Sequence, residues 1–424
     1  MAQAAPTTAT SGKRVEIDFS VYNPYDPDFI RDPHPTWNRL LEHYPVAWHR
    51  DMKTWVVAPH DLCFEALRSP KFSLSFRDYK YAPPKKPESQ WTDFDRAMEY
   101  GLGVVSPKEH IRLRKLTQPA FARQVMDQIE IKIQDLIEGI FDDIGTPKEF
   151  NAASAIAARV SVPSIARMVG VSKEAEQLFE EGLSYNLVRA TNPLYAAQFQ
   201  KHADGTLPGF AFLKELVAER RARKDKGNDF IGTLLTTVDD EGDHLSDWDI
   251  IALIAFLITA GADTAVDLHS CAIQALLTHP DQRRMLHDNP QLMENAILEI
   301  LRWGFTGKIG PQPRYPLQDM EFGGQWMEKG EPVMVLMPAA WVDPEKWPEP
   351  RKFDINRNQD GNIIFGAGAH FCIGLNLVKV QGRLMINEFN KRFPKAELTG
   401  DIEHDPAHFN MRRITKLMVK TNLN

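Results

Sequence analysis

Apolar residues recur at helical spacing over most of the chain and at strand spacing in only a few short stretches. Residues 124–143 place Ile129, Ile133, Leu136, Ile137 and Ile140 on one side, the three-and-four rhythm of an amphipathic helix. The rhythm continues over 155–169 and through 174–225, with breaks at Thr191-Asn192-Pro193 and at Gly205-Thr206-Leu207-Pro208-Gly209. Ser246 to His279 is the longest helical segment. Ser246 and Asp249 have capping-box spacing, and Ile250 to Ile258 is apolar on every side, which predicts a helix buried through the centre of the molecule. Leu375 to Phe393 reads as a further long amphipathic helix. Val46-Ala47-Trp48 and Thr54-Trp55-Val56-Val57 predict two strands around a turn, followed by a short helix over His60 to Leu67. Arg314-Tyr315-Pro316-Leu317 predicts another strand. Residues 76–103 show no clean period, and the prolines of Ala82-Pro83-Pro84-Lys85-Lys86-Pro87 exclude a central helix or strand there.

Composition narrows the class. The 424 residues are 43% hydrophobic and 25% charged, enough apolar material for a sizeable core. A net charge of −7 argues against a nucleic-acid or anionic-membrane partner. The three cysteines, Cys63, Cys271 and Cys372, are far apart and odd in number, which is no disulfide framework and suits a reducing, cytoplasmic location. Met1 to Gly12 is rich in Ala and Thr, and a disordered tail is expected over 1–20. No run reaches the roughly 18 apolar residues of a membrane span, so no membrane partner is expected.

Four places concentrate chemistry. Phe365-Gly366-Ala367-Gly368-Ala369-His370-Phe371-Cys372-Ile373-Gly374 sets one cysteine among small residues just before a helix, where free N–H groups and the helix dipole favour a thiolate. Such a thiolate serves as a nucleophile or as a metal ligand. His110 and Arg114 stand four apart on one helix face and together suit a pair of carboxylates. Ala260-Gly261-Ala262-Asp263-Thr264 puts an acid and a hydroxyl inside an otherwise apolar helix, either as satisfied core groups or as working ones. Glu299 and Arg302, at i and i+3 among Ile297, Leu298, Ile300 and Leu301, suggest a partly buried pair.

The cysteine segment resembles the haem-binding loop of the cytochromes P450, Phe-x-x-Gly-x-His/Arg-x-Cys-x-Gly, through Phe365, Gly368, His370, Cys372 and Gly374. The resemblance extends over roughly residues 30 to 420. It includes His110-x-x-x-Arg114 followed by Phe121, the oxygen-activation motif ending in Asp263-Thr264, and Glu299-x-x-Arg302 with Arg357 beyond it. Ser106 stands where the family has Asp, and Trp341-Val342 where it has Asn-Arg. The resemblance implies that Cys372 is the axial ligand of haem iron and that Phe365 packs beside its sulfur. It also implies that His110, Arg114, Arg314 and His370 hold the haem propionates. Glu299, Arg302 and Arg357 would form a buried ionic triad bracing the loop. Gly261 would leave room for dioxygen, Thr264 would hydrogen-bond it and Asp263 would relay protons.

The implied fold is mainly α (α+β): one haem domain over 21–424, with a long central helix above haem b and small sheets at the side. The implied reaction is hydroxylation of a hydrophobic substrate, a terpenoid or aromatic compound before a fatty acid or steroid, with Leu257, Ala260, Gly310 and Gln312 as candidate contacts. Dioxygen is the co-substrate. Electrons are expected from NAD(P)H through a reductase and an iron–sulfur ferredoxin, with no flavin or iron–sulfur domain fused to the chain. Arg112, Lys115 and Arg123 are candidates for the ferredoxin-facing surface, and a monomer is expected. A peroxide-driven haem-thiolate oxygenase, a haem sensor or carrier, and a hydrolase with Cys372 as nucleophile are the alternatives.

Overall fold

The computed structural model describes residues 14–304 and 307–422, apart from the side chains of Leu194 and Asp263. The candidate proton relay at Asp263 therefore lies outside the described side chains. Most of the described chain is helical, and the sheets are small and peripheral.

The organising element is the central helix, Asp247–Thr278. Its start is fixed by a reciprocal cap: Asp249 N donates to Ser246 Oγ at 3.1 Å, and Ser246 N donates to the Asp249 carboxylate at 2.9 Å. It stops at His279, ahead of Pro280. Ile250, Ile251, Ala252, Leu253, Ile254, Ala255 and Ile258 are buried along its first half. The helix reaches membrane length after all: it has 32 residues and a mean hydropathy of 1.8 in its most apolar stretch, of which 71% is buried inside the protein. Its apolar surface is covered by the helices Ala158–Val169 and Leu207–Ala222 and by the helix that carries Glu299, Met293–Gly304.

The largest sheet has four strands in the order Glu16–Ile17, Val46–His49, Thr54–Val57, Val333–Val335. The middle pair is antiparallel with Trp48 opposite Trp55, and the two outer pairings are parallel. Glu16 and Ile17 pair with Trp48 and His49, so the tail expected over 1–20 is already in the sheet at residue 16. Residues 1–13 lie outside the described part. The strand expected at 314–317 is the two-residue strand Tyr315–Pro316, antiparallel to Phe72–Ser73, while Arg314 bridges to Val333.

One expectation between these elements changes. Residues 76–103 contain a helix, Asp93–Glu99, capped reciprocally by Thr92 and Asp95, a signal present in Thr92-Asp93-Phe94-Asp95. The expected break at 205–209 is a junction between two helices. Helices Phe199–Gly205 and Leu207–Ala222 abut across Thr206, and Pro208 sits in the first turn, where no N–H is needed.

Candidate active site

The helix Leu375–Arg392 begins at Gly374 without a side-chain cap, which leaves its first N–H groups open to another acceptor. That acceptor is Cys372. The backbone N–H groups of Gly374 and Leu375 donate to its sulfur, and its own N–H donates to Phe365 O at 2.8 Å, closing the loop on itself. Gly366 and Gly368 have φ of 75° and 70°, which only glycine adopts without strain. A Cβ at Gly368 would also lie 3.0 Å from the Arg68 Cα, so the glycine lets the loop rest on the end of helix His60–Arg68. Burial pushes the Cys372 thiol up more than these donors and Arg114 pull it down. The local dipole alone therefore does not make the thiolate that the loop position suggests; coordination to a metal would remove the proton outright. Cys63 and Cys271 are buried core donors to Val57 O at 3.2 Å and Gly304 O at 3.0 Å.

Cys372 opens onto a cavity of about 700 Å³ bounded by the loop and the central helix. At this cavity stand His110 and Arg114 from helix Pro107–Thr117, together with Arg314 and His370. Ser106 Oγ accepts from Glu109 N at 3.4 Å, so the serine in place of the family's Asp still caps that helix. The His110 and His370 rings lie 3.9 Å apart. Burial, then neighbouring positive charge, pushes His110 down to about 4 and His370 to about 3, and burial lowers Arg314 to about 10. No carboxylate among the described residues pairs with Arg114 or Arg314. A buried guanidinium at Arg314, a half-buried one at Arg114 and two imidazoles without an anion are a costly arrangement in the protein alone and suit a ligand bearing two carboxylates. A haem with its two propionates would fit this donor set, with Cys372 supplying a thiolate ligand and Phe365 on the cavity wall.

Thr264 also lines this cavity and is exposed to it, so the central helix is not buried on this side. Its hydroxyl donates to Ala260 O at 2.8 Å, one turn back. Ser161, on the Ala158–Val169 helix, donates from its hydroxyl to Gly261 O at 2.8 Å or Ala262 O at 3.1 Å. A Cβ on Gly261 would meet the Ile165 Cδ1 at 3.0 Å, so the missing side chain admits the neighbouring helix. Ser161 and Ile165 escape sequence reading because they meet this turn only through tertiary packing.

Leu257, Ala260, Gly310 and Gln312 all lie on the cavity wall. Gly310 is there for a packing reason, since a Cβ on it would stand 2.1 Å from the backbone O of Val335. Gly310→Ala is expected to destabilise the protein by about 1–3 kcal/mol through forced backbone displacement, read as a lower unfolding midpoint. An unchanged midpoint would return Gly310 to the set of plain substrate contacts.

Glu299, Arg302 and Arg357 come together behind the loop. Glu299 accepts from Arg302 Nε and Nη2, both at 2.8 Å, and from Arg357 Nε at 3.1 Å, and Glu299 and Arg302 are fully buried. Glu299 also accepts from Asp354 N at 3.1 Å, and Arg302 donates to Trp341 O at 3.0 Å and Pro350 O at 2.7 Å. Trp341, at the family's Asn position, thus supplies a backbone acceptor and a wall of the cavity. Of the three candidate ferredoxin-facing cations, Arg123 is exposed, whereas Arg112 and Lys115 are paired with acids of this chain. Arg112 is held by Glu109 at 2.7 Å and by Asp243 and Asp249 at 3.0 Å each, and Lys115 by Asp240 at 2.7 Å. Both are neutralised within the chain, and Arg112 anchors the start of the central helix.

The family profile "Cytochrome P450" matches residues 79–416. The chain is a cytochrome P450. It is 27% identical to the epothilone C/D epoxidase of Sorangium cellulosum over 94% of this chain and 95% of that one. It is 30% identical to the vitamin D(3) 25-hydroxylase of Pseudonocardia autotrophica over 87% and 88%. Among solved structures, epothilone D-bound cytochrome P450epoK superposes with a TM-score of 0.86 at 26% identity, covering 95% of this chain and 99% of that one. As a cytochrome P450, the protein has the fold of that family and is a haem-thiolate monooxygenase.

Proposed function

We propose that this cytochrome P450 hydroxylates or epoxidises a hydrophobic small molecule within the cavity that Cys372 and Thr264 share. The carrying observation is the convergence of Cys372, Thr264, the guanidinium groups of Arg114 and Arg314 and the imidazoles of His110 and His370 on one cavity. Haem, when bound, supplies oxygen activation, with thiolate ligation favouring O–O cleavage. His110, Arg114, Arg314 and His370 would hold it through its propionates, and the Glu299 triad would brace the loop that presents the sulfur. Relatives named for epothilone C/D, vitamin D(3) and 6-deoxyerythronolide B support a bulky polycyclic or macrocyclic substrate ahead of a small aromatic one. Electrons are proposed to come from NAD(P)H through a reductase and a ferredoxin, and the protein to work as one cytoplasmic haem domain over 21–424.

The test is the spectrum of the reduced, carbon-monoxide-bound protein, followed by turnover under isotopically labelled dioxygen. A thiolate-type Soret band with label in the product is expected. A thiolate band without oxygenated product from any hydrophobic compound would favour a sensor or carrier. Product formed only from added hydrogen peroxide would favour a peroxide-driven enzyme.

In the proposed mechanism the Thr264 hydroxyl would release Ala260 O and donate its proton into the cavity. Thr264→Val keeps shape but removes that donor. Loss of a positioned proton-transfer group lowers the step it serves by about 10²–10⁴-fold. Product per NAD(P)H should therefore collapse while NAD(P)H oxidation continues, with hydrogen peroxide released in its place. Coupling equal to wild type would leave Thr264 as a helix-bonded hydroxyl only.

A further inference from the structure

We infer that Ser161 is a positioning residue for Thr264. Its hydroxyl ties the 260–264 turn of the central helix to the neighbouring helix, so that the turn keeps its place when Thr264 swings its own hydroxyl into the cavity. This rests on the monooxygenase reading above and adds to it a residue that works through Thr264 rather than on the substrate.

Ser161 is buried, yet it borders the same cavity as Thr264. Its one hydroxyl proton has two acceptors in reach, Gly261 O at 2.8 Å and Ala262 O at 3.1 Å. Thr264 donates to Ala260 O, the carbonyl just before them, at 2.8 Å. Successive carbonyls of one turn are therefore gripped by hydroxyls from two sides, one on the central helix and one on its neighbour. The two bonds act differently. A hydroxyl bonded one turn back along its own helix bends that helix slightly. A hydroxyl reaching in from a second helix fixes where the turn stands relative to that helix. Ile165, one turn beyond Ser161, packs against the same turn at Gly261. An apolar contact of that kind is non-directional, whereas a hydrogen bond weakens steeply as its angle changes.

The neighbouring helix is irregular at this contact. A π-helical turn, Ala153–Ala157, runs straight into helix Ala158–Val169, and Pro163 sits inside that helix. Pro163 has no N–H for the carbonyl of Arg159, four residues earlier. Ser164 puts its hydroxyl on Val160 O at 2.6 Å. π turns and interior prolines are common sources of helix kinks, and here they flank the residue that crosses to the central helix. When Thr264 releases Ala260 O, the turn loses a hydroxyl bond on the cavity side and keeps the one from Ser161. Without Ser161 the turn rests against its neighbour on apolar packing, and a small displacement there misplaces the Thr264 donor.

The experiment uses the haem-loaded full chain with carbon monoxide as the probe. The infrared stretch of the bound carbon monoxide reports polar hydrogens pointing into the cavity, and Thr264→Val supplies the reference for their loss. Ser161→Ala and Ser161→Val are expected to move the band towards that of Thr264→Val. Ser161→Thr, close to valine in size but with a hydroxyl, is expected to stay near wild type. With progesterone as a turnover probe, product per NAD(P)H should fall about 2–10-fold in Ser161→Ala, the worth of one hydrogen bond, while the Soret-shift affinity stays unchanged. A wild-type band in Ser161→Ala and Ser161→Val would overturn the inference. Equal shifts in Ser161→Thr and Ser161→Val would overturn it too, because packing rather than the hydroxyl would then decide. Weaker progesterone binding with a wild-type band would make Ser161 a wall contact instead. Failure of the monooxygenase reading shows separately, as a wild-type protein without the thiolate-type carbon-monoxide Soret band.

Discussion

Cys372→Ser is expected to abolish the thiolate-type spectrum and reduce monooxygenation to background, whereas Cys63→Ser and Cys271→Ser keep both. The contrast follows from where the three sulfurs lie. Cys63 and Cys271 donate to backbone carbonyls in closed parts of the core, and burial raises both thiols. Cys372 opens onto the cavity and receives the N–H groups of Gly374 and Leu375. Serine has nearly the shape of cysteine, so the loop should fold, but its hydroxyl is a far weaker acid and a harder ligand. The measurement is the reduced carbon-monoxide spectrum of all three variants at equal haem content. A wild-type spectrum from Cys372→Ser would mean that the iron sits on another ligand.

Glu299→Ala is expected to cost about 3–5 kcal/mol, the usual penalty for leaving one partner of a buried ion pair alone. Arg302 would keep its bonds to Trp341 O and Pro350 O but lose both bonds to the carboxylate. Arg357 and Asp354 N would lose an acceptor as well. Because these groups lie in the segment leading to Phe365, the damage should appear first as poor haem retention. The checks are the haem-to-protein ratio and the unfolding midpoint, compared with Glu299→Ala/Arg302→Leu, which removes the stranded charge and should recover part of the loss. Full haem content and an unchanged midpoint in Glu299→Ala would remove the triad from the account of loop stability.

The sequence alone determined whatever is written in neighbouring residues. The Ser246–Asp249 box and the uninterrupted apolar run after it define the central helix, because capping and burial of a helix depend on residues a few positions apart. The loop around Cys372 is equally local, with left-handed turns at Gly366 and Gly368 and a helix start at Gly374. The helix at Asp93–Glu99 was legible too, through its own cap, within a stretch whose prolines dominate the pattern.

Tertiary structure decided the rest, because partners distant in the chain set the role of a residue. Gly310 looks like a cavity contact until the Val335 carbonyl is seen against it, and Gly261 like an open space until Ile165 fills it. Arg112 looks like a free surface cation until Asp243 and Asp249 are found across from it. Ser161 carries no signal at all, since its acceptors lie 100 and 101 residues away. Packing and electrostatic pairing act through space, and a pattern read along the chain contains only the contacts that are also close in sequence.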